Sequence, residues 1–281
     1  MCDRLRRSLL YVPASSEPML RKAGARGADV LILDLEDGVL PDAKDEARAR
    51  LLRLYHELDF GAAEALVRVN SPGSPWHERD VEMAASLRPA GVVLPKAADP
   101  EALARCDARL GVPLWLMIET AEGVLRAAEL ARAPRVTALV FGAADFRESL
   151  RAGRHPEELE LLPARMQIVM AARAADTLAF DTPWFEYQDA DGLRRSAARA
   201  RLLGFDGKSA IHPGQLTVIH DVFAPTPAEI ERARRVIAAL GEAAARGQGV
   251  AVLDGEMIEA LHGRAARRML ARAGAHPCGD G

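Results

Sequence analysis

The sequence predicts a (β/α)8 barrel of the TIM type, an α/β fold, with a C-terminal helical extension. Three observations carry that prediction. Eight short apolar runs bounded by Gly, Pro or Asp recur as far as Pro213. Amphipathic segments separate them, several opened by Pro or Asp as helix starts prefer. Polar and charged residues gather where most of the runs end.

The runs are Ser8–Pro13, Asp29–Asp37, Ala65–Asn70, Gly91–Lys96, Pro113–Thr120, Val136–Phe146, Leu178–Phe185 and Lys208–Pro213. Several are near-continuous rather than alternating, as befits parallel strands covered on both faces. The segments between them read as helices at Asp42–Leu58, Pro75–Leu87, Pro100–Leu110, Glu122–Ala133, Pro163–Asp176 and Asp189–Leu203. Strand and helix in alternation imply a parallel sheet. An open doubly wound sheet is the competing arrangement, but eight repeats in 281 residues favour closure. The barrel is therefore expected over residues 1–224.

Residues 225–281 exceed what closure requires. Pro225–Gly247 reads as an Ala/Arg/Glu helix, Val250–Leu253 as a short strand, and a second basic helix follows Asp254-Gly-Glu-Met-Ile. This arm is expected to pack on the barrel mouth or on a neighbouring subunit.

Composition narrows the function classes. With 37 basic and 40 acidic residues the net charge is −3, which gives no reason to expect non-specific nucleic-acid binding. No apolar run approaches the ~20 residues that span a bilayer. The N-terminal Met-Cys-Asp-Arg-Leu-Arg-Arg lacks the long apolar stretch of a signal peptide. Cys2, Cys106 and Cys278 are scattered and form no C-x-x-C pair, so a reducing cytoplasm is the simplest setting.

The chemistry is expected where the runs end: Asp34-Leu-Glu36-Asp37, Arg68-Val-Asn70, Lys96, Glu119-Thr120, Asp145 and His212. In a barrel the C-terminal strand ends converge on one face, which carries the active site. Carboxylates from adjacent strands suit a hard divalent cation, because magnesium takes one or two and keeps positions for water and substrate oxygens. Glu119 and Asp145 are the expected ligands, for magnesium or alternatively manganese. Asp34, Glu36 and Asp37 cannot all touch the ion and are expected behind it. Each assignment has a plainer counterpart. Glu119 also fits a structural acid paired to an arginine, and Asp145 a helix cap. Lys96 fits an ion-pair partner, His212 a satisfied histidine in a tight turn, and Asp254 a turn residue. No histidine–cysteine grouping has zinc spacing, and no Walker A, G-x-S-x-G or G-x-G-x-x-G motif is present.

In order and spacing, Arg6-Arg7-Ser8-Leu-Leu-Tyr-Val-Pro13, Asp34-Leu-Glu-Asp37, Val67-Arg68-Val-Asn70 and Leu94-Pro-Lys96 resemble the HpcH/HpaI aldolase and citrate lyase beta-subunit family. So do Ile118-Glu119-Thr-Ala-Glu-Gly123, Gly142-Ala-Ala-Asp145-Phe146 and Gly207-Lys-Ser-Ala-Ile-His212-Pro213. The resemblance implies a magnesium-dependent enzyme acting on coenzyme A or acyl-carrier thioesters of 2-hydroxy acids. It implies that Glu119 and Asp145 bind the metal and that Arg68 holds a substrate carboxylate or enolate oxygen. Glu119 and Lys96 are also expected at the substrate. Leu253-Asp254-Gly255-Glu256-Met257-Ile258 resembles the D-G-x-M-I segment of the malyl-CoA and citramalyl-CoA lyase branch, which makes Asp254 an acid/base residue, commonly delivered within a trimer. Departures are Ala144 where many relatives are acidic, and Glu259 where many have aspartate.

The expected reaction is carbon–carbon cleavage of a 2-hydroxyacyl-CoA thioester to an acyl-CoA and an oxo acid, by a homotrimer or hexamer in the cytoplasm. The alternatives are a thioesterase or malate-synthase-like enzyme on the same site, an aldolase on free acids, and a non-catalytic thioester-binding subunit. Leu10, Trp184 and Phe185 are expected to set the pocket volume.

Overall fold

The computed structural model describes residues 5–274; Cys2 and Cys278 lie outside them. The chain divides into two compact units, one spanning Arg6–Phe223 and the other holding the chain from Ala224 onward.

In the first unit eight parallel strands close a barrel in sequence order. They are β1 (Ser8–Pro13), β2 (Val30–Asp34), β3 (Glu64–Arg68), β4 (Gly91–Leu94), β5 (Leu114–Ile118), β6 (Val136–Phe141), β7 (Leu178–Asp181) and β8 (Gly207–Ala210). The helices are α1 (Glu17–Lys22), α2 (Lys44–Leu54), α3 (His77–Leu87), α4 (Pro100–Leu110), α5 (Ala121–Leu130), α6 (Ala143–Leu150), α7 (Leu162–Ala174), α8 (Ala190–Leu203) and α9 (Leu216–Phe223). The strand period of two divides the side chains between the barrel interior and the helix layer. Leu9, Val30, Ile32, Leu66, Val93, Trp115, Met117, Val140 and Phe180 form one buried cluster inside the barrel. Leu31, Leu33, Val67, Leu116 and Leu139 join the larger cluster beneath the helices.

From β2 onward each strand stops short of the run read from the sequence, and at two of these ends the local structure of a site residue changes. The sixth run was expected to continue to Phe146, but β6 stops at Phe141 and the chain enters α6. Gly142 interrupts the strand, two alanines of high helix propensity follow, and an aspartate in the first turn favours the positive end of a helix. Asp145 is thus a first-turn helical residue rather than the end of a strand. The eighth run stops at Ala210, and His212 caps the short turn at Pro213–Gln215 by accepting from Gly214 N. His212 is a satisfied turn residue.

The second unit contains α10 (Pro227–Ala245), an antiparallel hairpin of β9 (Val250–Leu253) and β10 (Glu256–Glu259), and α11 (Ala260–Arg272). Thr226 and Glu229 form a capping box at the start of α10. Ala233, Val236, Ile258, Ala266 and Leu270 make its core.

Candidate active site

A cleft of about 500 Å³ opens at the C-terminal ends of the barrel strands. Its floor follows from the strand period. Tyr11 lies two residues beyond Leu9, Asp34 beyond Ile32, Arg68 beyond Leu66, Glu119 beyond Met117, and Thr182 beyond Phe180. Each therefore shares the inward face of an apolar core residue and puts a polar group on top of it. All five line the cleft, together with Asp37, Met117, Phe141, Asp145, Phe185 and Ile211.

Arg68 is the most constrained cation here. It is 5% exposed. Its Nε donates to Asp34 Oδ1 at 2.6 Å and its Nη2 to Asp34 Oδ2 at 2.7 Å, a bidentate fork. Nη1 donates to Asp37 at 3.3 Å and lies 2.9 Å from Glu36 Oε2, off the N–H direction. The Tyr11 ring centroid is 4.9 Å from the guanidinium carbon. Burial opposes the charge, but Asp34 holds Arg68 protonated well above its ordinary range. Asp34 in turn accepts from Glu36 N at 2.8 Å and Gly38 N at 2.9 Å. The loop carrying Glu36 is tied down by buried Lys44, whose Nζ donates to Leu35 O, Glu36 O and Asn70 Oδ1.

Glu119 directly follows β5 and is 1% exposed; its Oε1 accepts from Lys96 N at 2.7 Å. Among the described residues no arginine hydrogen-bonds to it, although the Arg68 charge acts on it. Burial, then the neighbouring Asp145, push its carboxyl up to about 7. Burial likewise raises Glu36, to about 8. Asp145 does not cap α6, because Gly142 is the N-cap residue and makes no side-chain bond. Lys96 lies two residues past β4 in the left-handed region, φ 50°. Its Nζ sits 3.8 Å from both Glu36 Oε1 and Asp145 Oδ1, bridging the acids around Arg68 to the acid on α6.

Among the described residues no three His, Cys, Asp or Glu side chains are grouped as a metal cage. Two carboxylates with open positions suit magnesium and not structural zinc. Gly142 leaves room for the Glu119 carboxylate: a Cβ there would lie 2.3 Å from its Oε2. The oxygen donors and the raised carboxyl of Glu119 both fit a hard divalent ion.

Residues 7–213 match the family described as HpcH/HpaI aldolase/citrate lyase. The chain belongs to this family. As an HpcH/HpaI member it is 43% identical over 270 residues to the (3S)-malyl-CoA thioesterase of Cereibacter sphaeroides (strain ATCC 17029 / ATH 2.4.9), covering 95% of this chain and 94% of that one. It is 36% identical over 276 residues to the mitochondrial citramalyl-CoA lyase of Rattus norvegicus, covering 90% and 82%. The crystal structure of CitE from Mycobacterium tuberculosis in complex with magnesium, acetoacetate and coenzyme A superposes with a TM-score of 0.82 at 32% identity, covering 95% of this chain and 98% of that one.

The structure gathers Arg68, Glu119, Asp145, Lys96, Asp34, Glu36 and Asp37 in one region. Asp254 belongs to the other unit, where it occupies the β9–β10 turn at φ 51° and pairs with Arg235. Of the pocket residues expected from sequence, Phe185 lines the cleft. Leu10 is in the helix-layer core, and Trp184 carries Arg154 over its ring at 5.6 Å. Tyr11 and Thr182 were not singled out by sequence reasoning, although position two beyond an inward apolar residue could have found both.

Proposed function

We propose that this chain is a magnesium-dependent carbon–carbon lyase acting on a small CoA thioester of the malyl type, in which a hydroxyl is α to the free carboxylate and β to the thioester. The observation that carries the reading is the Arg68 guanidinium facing the same cleft as the Glu119 and Asp145 carboxylates. That arrangement suits a substrate with an anionic end and a second oxygen that gains charge as the bond breaks. The magnesium, acetoacetate and coenzyme A held by the M. tuberculosis relative supports it.

Glu119 and Asp145 would hold the ion, which when bound supplies Lewis-acid polarisation of substrate oxygens. Asp34 fixes the fork of Arg68 on one edge, which leaves Nη1, held by the longer bond to Asp37, as the nitrogen that would donate to substrate. A fixed guanidinium needs little reorganisation as charge develops, and its burial strengthens the interaction. Cleavage needs no co-reactant: the bond between the hydroxyl-bearing carbon and the carbon next to the thioester breaks, and the hydroxyl hydrogen is formally replaced on that second carbon. Asp254, of this or a neighbouring chain, is proposed to deliver the proton, and to remove it in the reverse direction. A homotrimer or hexamer is proposed on the family resemblance, with a cytoplasmic setting.

Thioester hydrolysis is the second reading, favoured by the 43% identity to malyl-CoA thioesterases. Products separate the two. With malyl-CoA and magnesium, the lyase yields acetyl-CoA and glyoxylate; the hydrolase yields free CoA and malate. Mass spectrometry of a panel of hydroxyacyl-CoA esters reads both, and no magnesium-dependent turnover of any ester would remove the proposal.

A further inference from the structure

We infer that Thr182 is a substrate-binding residue whose hydroxyl donates to the carboxylate of the 2-hydroxy or oxo acid; the inference rests on the reaction class proposed above.

Thr182 is 1% exposed yet lines the cleft, two residues beyond the inward Phe180. Its Oγ1 accepts from Ala143 N, a first-turn amide of α6, at 3.1 Å. That bond uses a lone pair and leaves the hydroxyl proton, and among the described residues no acceptor takes it. A buried hydroxyl has one donor to place. Leaving it unplaced costs free energy, so an acceptor arriving in the cleft is favoured. The donor is also rigid. Asp181, just before it, is gripped from the opposite face of β7 by Arg165 at 2.8 and 3.2 Å and by Lys208 at 2.6 Å, all three fully buried or nearly so. The β-branch of threonine restricts χ1 further. Because Thr182 also anchors the helix that carries Asp145, it places a neutral donor beside the acids without adding charge. An anionic oxygen gains most from such a donor, since hydrogen bonds to charged groups are the stronger ones.

The test uses the full chain with magnesium. Calorimetry with pyruvate is expected to show Thr182→Ser within about threefold of wild type and Thr182→Val weaker by about tenfold or more, the range for one hydrogen bond to a charged group. With malyl-CoA, Thr182→Val should raise KM by a similar factor while kcat changes little. Inhibition by 3-hydroxybutyryl-CoA, whose methyl replaces the carboxylate, should be equal in both proteins. Thr182→Val also leaves Ala143 N without its acceptor, so Tm is expected to fall, but magnesium affinity should be unchanged, which separates substrate contact from helix anchoring. Should Thr182→Val fail to fold, Thr182→Ala carries the same comparison. Unaltered pyruvate affinity, equal weakening of both thioesters, or a loss traced to magnesium affinity would each overturn the inference. A wild type that binds pyruvate through Thr182 but leaves malyl-CoA intact would remove the proposed reaction alone; one that binds no oxo acid would remove both.

Discussion

At the scale of single residues, Glu119 and Arg68 carry opposite stability signatures. Glu119 is a buried carboxylate repelled by Asp145, so Glu119→Gln is expected to abolish magnesium binding in calorimetry while leaving the metal-free protein as stable as wild type or more so. A large drop in Tm would mean that Glu119 has a structural task instead. Arg68→Met strands Asp34, which is 2% exposed, without its cation. Breaking a buried pair on one side costs about 3–5 kcal/mol, readable as a lower urea midpoint. Arg68→Lys keeps the charge but not the fork, so turnover should fall steeply with less loss of stability. These positions were legible in the sequence because a charge that ends an apolar run stands out. Tyr11 and Thr182 were not, since an uncharged polar residue in a strand reads as ordinary β composition.

At the scale of elements, the β6–α6 junction sets the metal pair. Gly142→Ala puts a methyl into the space of Glu119 Oε2, so magnesium affinity should fall by at least about tenfold with the barrel otherwise intact. Titration by calorimetry, with circular dichroism as the control for folding, checks it. This junction also shows why one boundary was misread. Val136–Phe141 is continuous with Gly-Ala-Ala, and no apolar period breaks before the helix begins. On the outward face of β7 and β8, Asp181, Arg165 and Lys208 form a buried network that sequence reading passed over, because Asp181 sits inside an apolar run. Burial alone would raise the Asp181 carboxyl, but Arg165 and Lys208 hold it below its usual value. A depressed carboxyl contributes stability that is complete above its unfolded pKa and is lost as pH falls through the folded one. Wild type should therefore lose urea resistance below about pH 4, and Asp181→Asn should be weaker at neutral pH with a flatter acid limb.

At the scale of the whole molecule, barrel closure was readable from eight repeats, and the C-terminal unit from chain left over after the eighth. What that unit contributes is a question of chemistry. Asp254→Asn is expected to cut malyl-CoA turnover by at least about a hundredfold while thioester binding persists, the usual scale for losing a positioned proton donor. Unchanged turnover would take Asp254 out of the reaction. Across the described chain no helix is long and apolar enough to cross a membrane. The charge in the cleft has one more consequence. Among the described residues the carboxyls of Asp34, Glu36, Asp37, Glu119 and Asp145 stand against Arg68, Lys96 and Lys44, so the bare cleft gives an approaching anionic acid no field that favours it. The divalent ion supplies that field, and each ligand then tightens the other's grip by the same factor. Steady-state kinetics should accordingly show compulsory order: the ion loads first, and its apparent affinity sharpens as substrate rises.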